Sequence, residues 1–515
     1  MTAPSRRELA LAFVALVVLG AAVFGPQVAN GGFYWDDWQN SANSHFSLEP
    51  GLFGTLERAT ERPVFGYRPV LTGLLVVEHQ ALGLDKHLHL AMAALFGVLT
   101  AWALYLLLRT VGLARLDSAV PAALLLVFPW ADSTRMWATA SFDTLAVALY
   151  LLGVALAVRA LREPSRRRRF ALTAISLALY LAASWTYEVV LAGILAAVVV
   201  YLIVAPRRAA LRRFGLDAVA VGIALVVNLT GTTRVPRPLS EQVDHAGTLA
   251  SQSFSLLARA LVPVGDVPGA VGAALLAIVA GGGVLAWRRL PEGDPRRPGL
   301  RRWLATAALG ALGIAAGYAL FVPAEAYYQP LAPGTVTRMN VLAAVGYSVL
   351  VYALVRLATA RFGAVAAAAL CLLIGAGYVV KVADDQKGWQ DSATIQDRVL
   401  NAIHTSTPRP RPRTTFYTFG AGTFAAPGVP AFSLPFDLKS AVRLRYDNPS
   451  LAAYPIPHHG VIHCGRYLLY PTGGSYGPVH GAPYGRAVFI DVPHSRAIPI
   501  GSHADCVTWR ARLGS

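Results

Sequence analysis

The chain has 515 residues, of which 55% are hydrophobic and only 14% charged, where an ordinary soluble protein carries about 25% charged residues. A net charge of +17 on a chain of mean hydropathy +0.48 argues against a soluble globular enzyme. It also argues against nucleic acid as a partner, because the basic excess reads as charge gathered on one face of a lipid bilayer.

A segment that crosses the hydrocarbon core must satisfy its own backbone hydrogen bonds and needs about 20 apolar residues. Such runs lie at residues 9–25, 88–108, 117–130, 143–161, 170–185, 189–205, 214–230, 267–287, 303–321, 339–355 and 362–380. They predict an all-α polytopic membrane bundle of about eleven transmembrane helices. The first run is followed by no clear small-residue cleavage site and is read as a retained helix. Basic residues mark the cytoplasmic loops: Arg6 and Arg7, Arg109 and Arg115, the run 166–169, and the segments 207–213 and 288–302. The N-terminus is therefore expected inside, and an odd number of spans puts residues 381–515 outside, as for a multi-pass plasma-membrane protein.

The first outer loop, 26–86, is far longer than a helix connector needs to be. It opens with FYWDDW, which places Asp36 and Asp37 between aromatics just after the first span. Two adjacent carboxylates repel, and the repulsion suits one of them to take a proton near neutral pH. The alternative is an aromatic belt with solvated aspartates. Arg62, Arg68, Glu78, His79, His87 and His89 follow before the second span. His87 and His89 are two apart at a helix start and so point to different faces. Capping and core hydrogen bonding account for them as well as a binding role does.

Further on, FPWADSTRMWATASFDTLA carries Pro129, Asp132, Arg135 and Asp143, WTYE ends in Glu188, and YYQPLAPGTVTRMN carries Arg338. Ionisable residues at the outer membrane face are expensive and rarely idle. Asp384 and Asp385 after the last span read as solvated helix-end charges. The acids leave room for a divalent metal, but no ligand spacing compels one, and none is assigned.

The expected organisation is a membrane bundle over 1–385 and an extracytoplasmic region over 386–515, β-rich from about 414. There TTFYTF and RAVFIDV alternate aromatic and β-branched residues between Gly and Pro breaks. Cys464 and Cys506 both fall in this region and are expected to pair in an oxidising compartment. The alternative is a metal site built from His463, Cys464, His503 and Cys506.

The order of an acidic pair after the first helix, then YRP, a helical stretch with a Gly-containing turn, and H-x-H at the next helix resembles the GT-C glycosyltransferase superfamily. Within it the likeness is to the protein O-mannosyltransferase-like branch and the transmembrane TPR-containing O-mannosyltransferases, although no TPR pattern is present. The 129–143 turn is similar to that branch's outer turn between the third and fourth helices. WTYE keeps the acid of its S-K-E turn but has Tyr187 in place of the Lys. The 327–340 segment and KGWQDSATIQDRVLNAI resemble later family segments, so the likeness covers roughly residues 1–403.

The resemblance implies a cavity that opens outward and admits a polyprenyl-phosphate sugar, the donor substrate. It implies an acid of the first outer loop as general base, so Asp36 or Asp37, with Asp36 preferred. Arg338 is then the first candidate for the donor phosphate and Arg68 the second, since Arg is permanently charged and shaped for phosphate oxygens. Asp143, Glu188, His87, His89 and Arg135 are supporting residues, the two acids able to orient the sugar or to bind an arginine such as Arg135. The expected activity is sugar transfer from a polyprenyl-phosphate carrier to an extracytoplasmic acceptor: a polysaccharide, a lipid or a protein. The alternatives are a transporter or lipid-carrier flippase, and a non-catalytic GT-C-like envelope assembly protein.

Overall fold

A computed structural model describes residues 4–47, 51–61, 63–230, 237–291, 294, 296–456, 462–466, 468–469 and 481–513. Arg62 lies outside the described residues. The chain forms a polytopic all-α membrane bundle with a small C-terminal β-sheet domain. Among the described residues seven helices are long and apolar enough to cross a membrane: Arg6–Asn30, Lys86–Val111, Ser141–Arg162, Arg166–Thr186, Gly269–Arg289, Gly334–Ala358 and Gly363–Ser406.

The chain divides into two compact units. One comprises Met1–Val28, Ala59–Leu74 and Leu90–Asp385; the other comprises Ala29–Arg58, Leu75–His89 and Gln386–Ser515. Two pieces of the first outer loop therefore belong to the same unit as the C-terminal region.

Small residues set the packing of the first unit. Helices Arg297–Ala319 and Val341–Ala358 touch along Gly310, Gly313 and Gly317 on one side and Ala343 and Gly346 on the other. A Cβ at Gly346 would stand 2.5 Å from the Ile314 nitrogen and 2.6 Å from the Gly310 oxygen. Lipid offers no hydrophobic drive for such association, so close backbone packing supplies it.

Several expected spans differ in detail. The 117–130 run forms only the twelve-residue helix Arg115–Leu126, then breaks where Pro129 starts a short 3-10 turn. The 189–205 run is a broken helix, Glu188–Val204. The last span does not end at 380: it continues as a 44-residue helix to Ser406, because no Pro interrupts 381–406 and Gly388 within it stays helical. Asp385 is thus no helix-end charge, and it forms an ion pair with Lys381 one turn earlier. Helix Leu239–Leu261 has no counterpart among the expected spans. Its polar residues mask an apolar stripe that buries Leu249, Leu256 and Leu257.

In the second unit, four strands order as Ala452–Pro455, Thr415–Phe419, Ala487–Asp491 and Arg496–Ile500. The first two pairings are parallel and the last antiparallel. A parallel pairing needs a crossover, and helix Pro435–Tyr446 lies in the connection from Thr415–Phe419 to Ala452–Pro455. The region is accordingly mixed α/β rather than mostly β. Side chains alternate across the sheet: Phe416 and Ile490 pack with Leu438, Val442 and Ile403 on one face, and Tyr417, Phe419 and Phe489 pack with Ile498 and Cys506 on the other.

Candidate functional site

In the second unit, the aspartate pair begins helix Asp36–His45. The backbone reaches it through Trp35, whose φ of 46° is a left-handed conformation that an aromatic residue adopts only at a cost in strain. Tertiary contacts hold it there: Trp35 Nε1 donates to Ser433 Oγ at 2.7 Å, and Trp38 Nε1 donates to Gln396 Oε1 at 2.7 Å. The buried Tyr34 donates from its hydroxyl to the Trp389 carbonyl at 2.8 Å and packs edge-on against the Trp389 ring.

Asp37 is only 4% exposed, and its Oδ2 accepts the Tyr34 backbone N–H at 3.0 Å. Asp36 is half-buried. Both carboxylates sit in the first helical turn, where the helix dipole favours negative charge. A third acid, Asp437, lies on the crossover helix and carries no signal in the sequence that marks it out. Burial pushes its carboxyl up to about 8, against the pull of backbone N–H groups from Leu438 and Leu434, and the charge of Asp36 adds to the rise.

His89 is buried and bonds Glu78 Oε1 at 2.6 Å and the Gly83 carbonyl at 3.0 Å, with Phe33 edge-on to its ring. Both ring nitrogens are therefore committed within the unit. His87 is exposed, and its backbone N–H donates to Asp85 Oδ1. The two histidines do take different faces, and His89 serves to tie the Gly83 turn to its flanking helices.

In the first unit, Arg68 and Glu188, 120 residues apart, form a two-pronged ion pair: Nε to Oε2 at 2.8 Å and Nη2 to Oε1 at 2.7 Å. The Arg68 guanidinium also lies over the Tyr187 ring at 4.7 Å from its centroid. The desolvation that opposes the Arg68 charge is outweighed by Glu188 first and by Tyr187 and Asp143 after it, so its pKa is raised. Tyr187 feels Asp143, Arg338 and Arg68 in turn, though burial is what chiefly holds its hydroxyl protonated. Arg338 sits on the 3-10 segment Gly334–Asn340 with its guanidinium 5.2 Å from the Trp137 ring centroid. Arg68, Asp143, Tyr187, Glu188 and Arg338 therefore form one electrostatic cluster, with the Tyr187 ring against the Arg68 guanidinium.

Arg135 is not the partner of Glu188. It is buried, donates Nη2 to the Phe128 carbonyl at 2.7 Å, and faces the Phe24 ring. Burial lowers it to about 10, with Asp132 opposing the fall. Asp132 Oδ1 in turn accepts from Thr337 Oγ1 at 3.3 Å, and the Ser133 and Thr337 hydroxyls are hydrogen-bonded to each other at 2.8 Å. Asn340 Nδ2 donates to the Trp130 carbonyl at 2.6 Å. These bonds lock the 129–136 turn onto the segment that carries Arg338.

Among the described residues no group of three or more His, Cys, Asp or Glu is placed to hold a metal ion. Cys464 and Cys506 are joined in a disulfide.

No protein-family model matches the chain, and no curated protein matches it. Among solved structures it is similar to the Archaeoglobus fulgidus oligosaccharyltransferase tethered with an acceptor peptide containing the NVT sequon. That match has 13% identity and a TM-score of 0.42, over 88% of this chain and 64% of that one. A second is to the oligosaccharyltransferase AglB from the same organism in complex with an inhibitory peptide and a dolichol-phosphate, at 12% identity and TM-score 0.44, over 87% and 64%. A third is to ArnT from Cupriavidus metallidurans bound to undecaprenyl phosphate, at 16% identity and TM-score 0.37, over 85% of each chain. The chain thus spans 64% of the length of the first two structures. With TM-scores this low the likenesses assign nothing to this chain, and the peptides and lipid phosphates belong to those proteins.

Proposed function

We propose that this chain is an integral membrane glycosyltransferase of the GT-C type, close to the protein O-mannosyltransferase-like branch. It moves a sugar from a polyprenyl-phosphate carrier to an acceptor outside the cytoplasm. The bundle crosses the membrane about eleven times with the N-terminus inside and residues 386–515 outside. The order of sequence motifs and the alternation of arginine-rich loops support this reading. The observation that carries it is the cluster of Arg68, Asp143, Tyr187, Glu188 and Arg338, charge of a kind that an apolar bundle keeps only where it is used.

In the reaction, an acceptor hydroxyl loses its proton to Asp36 as its oxygen attacks the anomeric carbon. The bond from that carbon to the carrier phosphate breaks, and the phosphate leaves with the electron pair. Asp37, held by the Tyr34 backbone N–H, fixes the turn; Asp36, half-buried at the first position of the helix, has the solvent access a proton acceptor needs. On the order of the sequence motifs alone, Arg338 is the residue assigned to the leaving phosphate. Arg68 is already neutralised by Glu188 and acts by holding Glu188 and Tyr187 in place, a positioning role in preference to a phosphate contact.

The test is transfer in proteoliposomes supplied with radiolabelled polyprenyl-phosphate sugars, comparing the intact protein with Arg338→Gln. Loss of one preorganised charge stabiliser is expected to cut turnover by about 100-fold. Turnover unchanged in Arg338→Gln would remove the phosphate assignment, and no donor consumed from any carrier would remove the enzymatic reading.

A further inference from the structure

A groove of about 1180 Å³ opens in the first unit among helices Lys86–Val111, Ser141–Arg162, Glu188–Val204, Arg297–Ala319 and Val341–Ala358. The cluster described above contributes no residue to it. Its walls are apolar, with Leu104, Tyr150 and Leu309 among them, and one end carries Arg297, Arg301 and Arg302. No acidic residue lines it among the described residues.

The basic end is built rather than scattered. Arg297 and Arg301 are one turn apart on the same helix and so share a face. Arg302 donates Nη2 to the Gly112 carbonyl at 3.2 Å, which fixes it to the end of Lys86–Val111. Arg297 lies over the Trp287 ring at 5.4 Å from its centroid, and Trp287 also lines the groove. Tryptophan beside arginine is the residue pair of the headgroup level. Farther along the same helix, Gly313 still lines the groove. It stands roughly 17 Å from Arg302 at about 1.5 Å rise per residue, which is about the depth of one leaflet of hydrocarbon.

We infer that this groove binds an anionic glycerophospholipid, with its phosphate on Arg297, Arg301 and Arg302 and an acyl chain along the apolar wall. Three arginines at one end of an apolar wall favour an anionic headgroup over a zwitterionic one. The arginine-rich loop 288–302 is on the cytoplasmic side by the charge rule, where anionic lipids attract such clusters. The inference needs the bundle to be in a membrane and does not need the transfer reaction.

The experiment uses the full chain purified in a mild detergent and stripped of lipid, with native mass spectrometry to count bound dioleoyl phosphatidylglycerol, dioleoyl phosphatidylcholine or undecaprenyl phosphate. Phosphatidylglycerol is expected to bind at least about tenfold more tightly than phosphatidylcholine. The double substitution Arg297→Gln with Arg301→Gln should abolish that preference. Leu309→Trp, which fills the wall and leaves the arginines alone, should weaken both phospholipids. Equal binding of the two phospholipids by the intact protein would overturn the inference, as would a preference that survives the arginine changes or undecaprenyl phosphate displacing phosphatidylglycerol at equal concentration. Because no sugar donor enters the assay, failure here leaves the transfer reading standing, and failure of transfer leaves this one.

Discussion

Glu188 grips Arg68 with both carboxylate oxygens, at 2.7 and 2.8 Å, so the two side chains act as one unit with the Tyr187 ring beneath the guanidinium. Glu188→Gln leaves a partly buried cation without its counter-charge. The expected cost is about 2 kcal/mol of stability, with transfer falling as Tyr187 and Arg68 shift. Arg68→Lys is expected to be nearly as damaging as Arg68→Gln, since a lysine cannot make the two-pronged contact or stack flat. Thermal unfolding in detergent together with transfer rates checks both; an Arg68→Lys variant as active and stable as the parent would contradict the role given to the pair.

The glycine contact between Arg297–Ala319 and Val341–Ala358 makes a separate prediction. At Gly346 an added Cβ meets backbone atoms of Gly310, Gly313 and Ile314, none of which can swing aside as a side chain would. Gly346→Ala should therefore cost about 1–3 kcal/mol. Gly222, with nothing within 4 Å of its Cβ position, is the matched control, and Gly222→Ala should be neutral or slightly stabilising. The midpoints of thermal unfolding for the two variants decide it.

Asp437 gives a pH dependence with a definite sign. Its carboxyl is raised from 3.8 to about 8, by burial first and by Asp36 in addition. Below pH 3.8 this group's contribution to stability is fully present. Between 3.8 and about 8 the folded chain keeps a proton that the unfolded chain releases, so stability falls as pH rises, and the contribution is lost above about 8. Asp437→Asn should flatten the fall, measured as the unfolding midpoint at about pH 6 against about pH 8.5. A variant whose pH profile matches the parent's would show that Asp437 is ionised in the folded protein.

The Cys464–Cys506 bridge closes a separation of 42 residues. Chain entropy then predicts that Cys464→Ser with Cys506→Ser removes up to roughly 4 kcal/mol from the stability of its unit. Proteolysis of the purified protein with and without reductant reads the effect, and cleavage should start sooner in the reduced sample.

What the sequence discloses follows from which interactions are local. Long, predominantly apolar runs such as 88–108 and 143–161 need only their own backbone bonds, and they form Lys86–Val111 and Ser141–Arg162. TFYTF and AVFID have the alternation of a strand, and both are strands. The composition of Gly363–Ser406 turns polar near 380, which predicts a stop that does not occur; a change of medium does not end a helix without a breaker. Helix Pro435–Tyr446, with Pro at its start and Asp437 in its first turn, carries a start signal that two flanking β-like stretches obscure.

The charged residues divide in the same way. That an acidic pair stands just after the first span is a local matter and is legible in FYWDDW. That Glu188 answers Arg68 rather than Arg135 is not, because the pair is separated by 120 residues and only the packing of the bundle brings it together. Asp437 is illegible for the same reason: nothing beside it in the sequence announces its burial or the proximity of Asp36.

The measurement that bears most directly on the central claim is sugar transfer in proteoliposomes with a panel of radiolabelled polyprenyl-phosphate sugars, comparing the intact protein with Asp36→Asn and Asp37→Asn. The account predicts transfer by the intact protein, loss of at least about 100-fold in Asp36→Asn with normal membrane insertion, and in Asp37→Asn a loss accompanied by a lower unfolding midpoint. Transfer that survives both substitutions would contradict it.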